Sequence, residues 1–322
     1  MRIILITVLI CFASNVPADD AVRNTVALVV NAIEHNYEQI ATAKMTITHE
    51  IVSPGGQIGR TTENLTLKGK DYFCEIFDPE GKLACTHVLH GNKFWRFLPG
   101  TSDPWFEISF ADDISTLLSN DPREFFAEGA KQRFSEQLLE NLPISAQHEN
   151  GLISMTYERQ YEVSPNEWKR EQRIYDFDVR KNMLPVRLLQ IYDGHVISEM
   201  TITYQDCQRS KAWFPLEKTY RTFPAETKIS DLAQVKPVMS AKTTISDFQI
   251  GISVSDKLFV PPAIDSLPDG TQIRDKVKGE TYQKYGVGDK NNNFVVRLTV
   301  VLLVNTIVVV LSIFFWWRSK RR

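Results

Sequence analysis

The side chains of this sequence that could do chemistry are few, and their spacing does not suit it. His87 and His90 stand three apart in an extended stretch, which points them to opposite faces of a strand and rules out a shared ligand. Cys74 and Cys85 flank the turn Asp78-Pro79-Glu80-Gly81, and counting back from it sets them nearly opposite one another on adjacent strands. In an oxidising compartment that placement would allow a cross-strand disulfide; three buried free thiols, with Cys207, are the alternative. His87 shares a face with Cys85, but two or three candidate ligands without a fourth make no zinc site. Gly55-Gly56-Gln57-Ile58-Gly59 lies between strands and opens no helix, so it reads as a turn and not a phosphate cradle. Asp112-Asp113 reads as a helix cap. With no nucleophile–base pair and no dinucleotide or metal fingerprint, the sequence points away from an enzyme, a metal and a cofactor.

The elements that must position whatever site exists are mainly strands. Asp19 and Asp20 cap a predicted helix whose apolar residues, Val22, Val26, Val29, Val30, Ile33, Tyr37 and Ile40, recur at three and four. From Lys44 the period becomes two: Met45, Ile47 and Ile51 alternate with polar residues, and Leu65 and Leu67 share a face after the Pro54-Gly55-Gly56 turn. The stretch from Leu65 to Thr101 reads as three extended segments joined by the Asp78–Gly81 and His90-Gly91-Asn92 turns. A short strand at Trp105–Phe110 and helical segments at 112–119 and 121–141 follow. Asn150-Gly151 and Asp193-Gly194 are hairpin signals that punctuate the strands after Pro143. The sum is about eleven antiparallel strands, and a sheet of that size curls or closes. The expected fold is mainly β, a half-open antiparallel barrel with covering helices over residues 19–259, then an irregular strap and linker at 260–293.

Both ends address the membrane. Arg2, the apolar run Ile3 to Ala13 and Val16-Pro17-Ala18 compose a signal peptide over residues 1–18. Leu298 to Trp317 carries no charge, and as a helix it would span about 30 Å, the thickness of the hydrocarbon layer. Trp316 and Trp317 end it, and Arg318, Lys320, Arg321 and Arg322 supply a positive cytoplasmic flank, so the span is placed at 294–317 and the tail at 318–322. The expected protein is a single-pass membrane protein with its main domain periplasmic. Its 322 residues carry a formal net charge of -2, which gives no basic face for nucleic acid.

Residues 44–101 also carry a resemblance. Met45-Thr46-Ile47, Gly69-Lys70 before a strand, Asp78-Pro79-Glu80-Gly81, Gly91-Asn92 and Phe94-Trp95-Arg96-Phe97-Leu98-Pro99 come in the order of the bacterial lipoprotein-carrier (LolA/LolB-like) family and the related domain of RseB-type regulators. A first helix ending in Tyr37-Glu38-Gln39-Ile40 agrees. The resemblance implies a half-open β-barrel covered by helices, with a cavity for acyl chains. Phe73 stands where that family carries an arginine important for handling the lipoprotein, so this role is not carried over. Met45, Ile47, Leu65, Leu67, Trp95 and Phe97 are the residues expected to line an apolar cavity for lipid or a lipoprotein acyl chain. A larger side chain at Leu67 would then be tolerated. The alternative is a non-enzymatic envelope sensor or protein-interaction domain, its interior filled by its own side chains.

Overall fold

The computed structural model describes residues 18–99, 103–110, 121–127, 132–164, 167–207 and 212–284. Helix α1 (Ala18–Gln39) buries the expected stripe: Val26, Val29, Val30, Ile33 and Tyr37 are covered, with Ile40 in the turn that follows. Strands β1 (Thr42–Val52) to β6 (Trp105–Phe110) come next: β2 (Ile58–Lys68), β3 (Asp71–Phe77), β4 (Leu83–His90) and β5 (Lys93–Leu98) pair in sequence order. After a 3-10 turn at Pro122–Glu124 and helix α2 (Phe134–Glu140), seven strands return. They are β7 (Ser145–Glu149), β8 (Leu152–Ser164), β9 (Glu167–Asp178), β10 (Leu184–Tyr192), β11 (His195–Cys207), β12 (Ala212–Thr222) and β13 (Met239–Ile250). Asn150-Gly151 and Asp193-Gly194 make the expected hairpins, with positive φ at both residues of each pair, as a primed turn requires.

The sheet differs from the expectation in size and closure. It has 15 strands in the order β15-β14-β6-β5-β4-β3-β2-β1-β13-β12-β11-β10-β9-β8-β7, and it is open, with β15 and β7 at its two ends. The expected irregular strap supplies two of the added strands, β14 (Gln272–Asp275) and β15 (Glu280–Gln283). β14 lies parallel to β6, an exception in an otherwise antiparallel sheet, and a parallel partner so far along the chain has no local turn to announce it. The helix expected across 121–141 is broken. Arg133 is extended, and only Phe134–Glu140 is α-helical among its described residues. Among the described residues no helix is long and apolar enough to cross a membrane. The signal peptide through residue 17, the 112–119 helix and the 294–317 span lie outside them.

Neighbouring residues on a strand face opposite ways, so membership of the three apolar clusters sorts the two faces of the sheet. One cluster joins α1 and α2 to Met45, Leu65, Cys74, Phe94, Ile153, Met155, Tyr175 and Phe177, so strands from both halves of the sheet share one helix-bearing face. The opposite, outer face carries two smaller clusters. Val88, Trp95, Phe106 and Ile273 lie under Leu258, Phe259 and Leu267 of the strap. Leu189, Ile191, Val196 and Phe223 lie under Leu232 and Val235 of the loop after β12.

Register corrects the cysteine expectation. Cys74 stands opposite His87, and Cys85 opposite Ile76. The two thiols are thus diagonal, where Cα atoms are about 7–8 Å apart, beyond the usual reach of a disulfide. Cys74 and Cys85 are free, and both are buried. The two should resist an alkylating agent in the folded protein and take it up after denaturation without reductant. A non-reducing peptide map joining Cys74 to Cys85 would refute this register.

Leu67 is 0% exposed, and with Met45, Ile47 and Leu65 it belongs to the core that α1 covers. The tolerance expected of Leu67 needs free space, and the structure instead buries this side chain completely in the main hydrophobic core. Leu67→Trp should therefore cost about 1–3 kcal/mol by overpacking. Denaturant unfolding of the full-length protein measures it, and an unchanged midpoint would mean the space is open after all.

Candidate functional site

The six residues expected to line a cavity do not share a face. Met45 and Leu65 are cross-strand partners, as are Ala43 and Leu67, and Ile47 sits opposite Glu63 on the same side, beneath α1. Following the register outward, Leu67 pairs with Tyr72, Tyr72 with Leu89, and Leu89 with Phe94. Phe94, and not Trp95, continues the row of Leu67. Trp95 and Phe97 therefore belong to the outer face. There the Trp95 indole N–H donates to the Phe259 carbonyl at 3.3 Å, and Phe97 packs on the same cluster.

The cysteines of β3 and β4 and His87 are chemically quiet. Glu63 is buried and takes contacts from His49 Nε2 at 3.3 Å and the Cys74 thiol at 3.5 Å. Burial and the Glu63 carboxylate push the Cys74 thiol far above its ordinary range, and burial pushes Cys85 up to about 12. Neither is a ready nucleophile, since the thiolate is the reactive form. Burial, with the Arg96 charge nearby, pushes His87 down to about 4, which leaves it neutral at neutral pH. Among the described residues no cluster of histidine, cysteine and carboxylate could hold a metal ion.

Open space lies elsewhere, between α2 and strands β8 and β9. The cavity measures about 450 Å³. Met155 pairs with Tyr175, Tyr157 with Arg173 and Arg159 with Glu171, so the inner face of this hairpin passes from apolar to charged along its length. Tyr157 and Tyr175 meet edge to face at 5.5 Å, and Phe134 of α2 lies 5.3 Å from Tyr175. Aromatic pairs in this range favour such tilted geometry. Leu138 completes the apolar part. At the charged end Glu171, 1% exposed, accepts from Arg159 and, at 2.7 Å, from Arg173 Nε. Gln132, Gln137, Glu140 and Asn141 line the α2 side. Leu142, exposed, also lines the groove, and just outside it Leu139 and Ile144 are exposed apolar residues beside β7, the last strand of the sheet.

The wall α2 is held to α1 by polar contacts, half-buried at Glu34 and buried at Glu124. The Arg133 guanidinium bridges to Glu34 at 3.0 Å, and the Ser135 hydroxyl donates to the same carboxylate. Glu124, 2% exposed, accepts the Tyr37 hydroxyl on one oxygen and the Phe134 N–H, at 2.9 Å, on the other. The Arg123 guanidinium grips Asp121 at 2.7 Å and donates to the carbonyls of Ile40 at 3.1 Å and Gly69 at 3.0 Å. The guanidinium carbons of Arg123 and Arg133 stand 4.3 Å and 4.6 Å from the Tyr37 ring centre, within cation–π range. Burial pushes the Glu124 carboxyl up to about 7, against the pull of its two donors.

Sequence reasoning placed Tyr157 among the strand aromatics but did not find the groove. The available signal was the charge of Arg159, Glu171 and Arg173 at the positions where the alternation from Met155 and Tyr175 would put inward residues.

No protein-family model matches the sequence, and no curated relative does. Solved structures do resemble it. A LolA superfamily protein from Nitrosomonas europaea matches with 13% identity and a TM-score of 0.44, over 72% of this chain and 96% of that one. A DUF1329 family protein from Desulfovibrio piger matches with 12% identity and a TM-score of 0.47, over 76% of this chain and 98% of its own. A putative outer membrane lipoprotein-sorting protein domain from Vibrio parahaemolyticus matches with 11% identity and a TM-score of 0.42, over 71% and 95%. Each likeness is one of fold, and the superfamily named first is the one whose resemblance residues 44–101 carry.

Proposed function

We propose that this protein is a non-enzymatic binding protein of the bacterial envelope whose groove between α2 and the β8–β9 hairpin receives an apolar-bearing segment of a protein partner. The lining of that groove is the observation that carries the reading. Phe134, Leu138, Tyr157 and Tyr175 offer a place for an apolar side chain, while glutamines, an asparagine, Arg159 and Glu171 stand where a peptide backbone needs donors and acceptors. A site for a buried acyl chain would be apolar throughout, because each unpaired polar wall group loses its hydration. The exposed Leu139, Leu142 and Ile144 extend the apolar surface outward beside an edge strand, where an extended segment could add to the sheet.

The envelope location rests on the signal-like start and the uncharged segment near the C-terminus, and the resemblance to lipoprotein carriers is consistent with a lipoprotein as that partner. The residues first expected to hold lipid support the same choice, since Met45, Ile47, Leu65 and Leu67 are fully buried in the main hydrophobic core. The competing ligand is a free lipid, which would need α2 to withdraw.

A photo-cross-linking amino acid at Leu142 tests this in cells. It should give one protein adduct of discrete mass, while the same probe at Ile58, 70% exposed and remote from the groove, should not. Native mass spectrometry of the full chain should find no bound lipid. Stoichiometric lipid that is lost in Leu138→Trp, with no protein adduct at Leu142, would overturn the partner reading in favour of lipid.

A further inference from the structure

The wall of the groove hangs on a carboxyl group whose charge nothing nearby fully offsets. We propose that the contact of Glu124 with Tyr37 and the Phe134 amide is a proton-operated latch, which holds α2 over the groove in acid and releases it as the medium becomes neutral. The proposal rests on the groove being the binding site, and it names how that site is regulated.

The charges facing Glu124 can be taken element by element. The 3-10 turn presents Asp121 and Arg123, and Arg123 is committed to Asp121 by contacts of its Nε at 2.9 and 3.1 Å and of its Nη2 at 2.7 Å. Helix α1 presents Tyr37, and Glu34 through its pairing with Arg133. Helix α2 presents the Phe134 amide, with Arg133 just before it and Glu136 turned back to the Arg133 N–H at 3.1 Å. From β12, Lys218 lies 4.2 Å from the ring centre of Phe125, and burial pushes that amine down to about 8. From β3, the buried Tyr72 hydroxyl has no hydrogen-bond partner and feels the Asp121 charge. With Arg123 given to Asp121 and Arg133 to Glu34, an ionised Glu124 is a surplus negative charge in a buried place.

Both protonation states can be hydrogen-bonded, but only one suits burial. When Glu124 is ionised, Tyr37 donates to it. When it is protonated, its own O–H donates to the Tyr37 oxygen, and the Tyr37 hydrogen can turn to Asp121 Oδ2 at 3.5 Å. The closed state raises this carboxyl to about 7, whereas a released segment would leave it in water near the ordinary 4.5. The sign follows. Closure binds a proton, so the stability of the closed state is complete below about 4.5 and is lost as pH rises through about 7, after which it changes no further. Over that window the open-to-closed ratio rises by up to about tenfold per pH unit, the slope for one proton. Release is local because α2 is a seven-residue helix outside the strands of the sheet.

Spin labels at Leu139→Cys on α2 and Ile58→Cys on β2 read the latch in the full-length protein, since the native cysteines are buried. At pH 5 the distance distribution should be single. A second population should grow between pH 5 and 7.5 and then level off. Glu124→Gln, which cannot ionise, should stay closed across the range. Tyr37→Phe keeps the ring between the two guanidinium groups but removes a donor that favours ionisation, so it should move the transition to higher pH. Distances unchanged from pH 5 to 8 would overturn the proposal, as would a transition that persists in Glu124→Gln with the wild-type midpoint. A transition lying above pH 8 would also overturn it, because it would belong to Lys218. If Glu124→Gln fails to fold, the Tyr37→Phe shift decides alone: upward supports the latch, and none refutes it. The labels report α2 without a partner. A missing cross-link at Leu142 therefore removes the partner reading and leaves the latch, while pH-independent distances beside an intact cross-link remove the latch only.

Discussion

The ladder between β1 and β13 is the constraint on which the rest depends. It pairs strands at opposite ends of the domain, and across it His49 Nδ1 meets Thr243 Oγ1 at 3.0 Å although the two residues are 194 apart in sequence. On one side of this ladder the chain runs outward through β2 to β6 and receives β14 and β15; on the other it runs through β12 to β7. Without it the strands would form two separate sheets, and α1 would have half a surface to pack on. Its residues face the core at Met45 and Ile47 and find Ile245 on the partner strand, so register and burial agree. A one-residue slip would turn those side chains to the outer face. So distant a pairing carries a loop-closure cost that local hairpins do not, and the compensation comes from the contiguous apolar surface it completes.

How much of this could be read beforehand follows from the range of each interaction. The helix stripe of α1, the alternation of β1 and β2 and the hairpins at Asn150-Gly151 and Asp193-Gly194 are set by neighbours a few residues away, and the sequence carries them openly. The strap did not announce its strands because β14 and β15 are short and sit among Pro261, Pro262, Pro268 and Gly270, where local signals favour turns. What fixes β14 is Phe106 and Ile273 packing together over Trp95 and Phe259, a contact no local pattern encodes. The face of Trp95 and Phe97 was lost for a related reason. Alternation within β5 assigns its residues to two sides, but which side is inner depends on a register carried through β2, β3 and β4.

Three buried acids of this sheet have their charge answered by a pair of cations each, and the buried Glu124 beside it does not. Glu107 lies between Arg96 at 3.2 Å and Lys276 at 2.6 Å and so ties β14 to β5 and β6. Glu199 lies between Arg187 and Arg221 and joins β10, β11 and β12. Glu171 has Arg159 and Arg173. In each case one acid faces two cations, and a buried acid of this kind is a specificity device more than a source of net stability, because its desolvation offsets most of the attraction. Glu124 departs from the pattern. Its bonds come from a neutral hydroxyl and a backbone amide, while the Arg123 guanidinium is held by Asp121 and that of Arg133 by Glu34.

That difference bears on where the sheet can bind anything. Over β1 to β3 the helix-bearing face is filled by buried aliphatic side chains, Met45, Ile47, Leu65 and Leu67, which have no charge to change and little volume to yield. Over β8 and β9 the cover is a seven-residue helix, packed through Phe134 and Leu138 and tied down by polar bonds whose strength depends on the medium. On the helix-covered face, the room lies between α2 and the β8–β9 hairpin. The side chains there are aromatic at one end and ionic at the other, so an occupant must be apolar at one point and able to hydrogen-bond a few ångströms away. A polypeptide segment meets that requirement at every residue with an apolar side chain, since the backbone brings its donors and acceptors with it. A hydrocarbon chain meets it only at its head. On the proposed reading, the mixed lining of the groove therefore suits a protein partner better than an acyl chain.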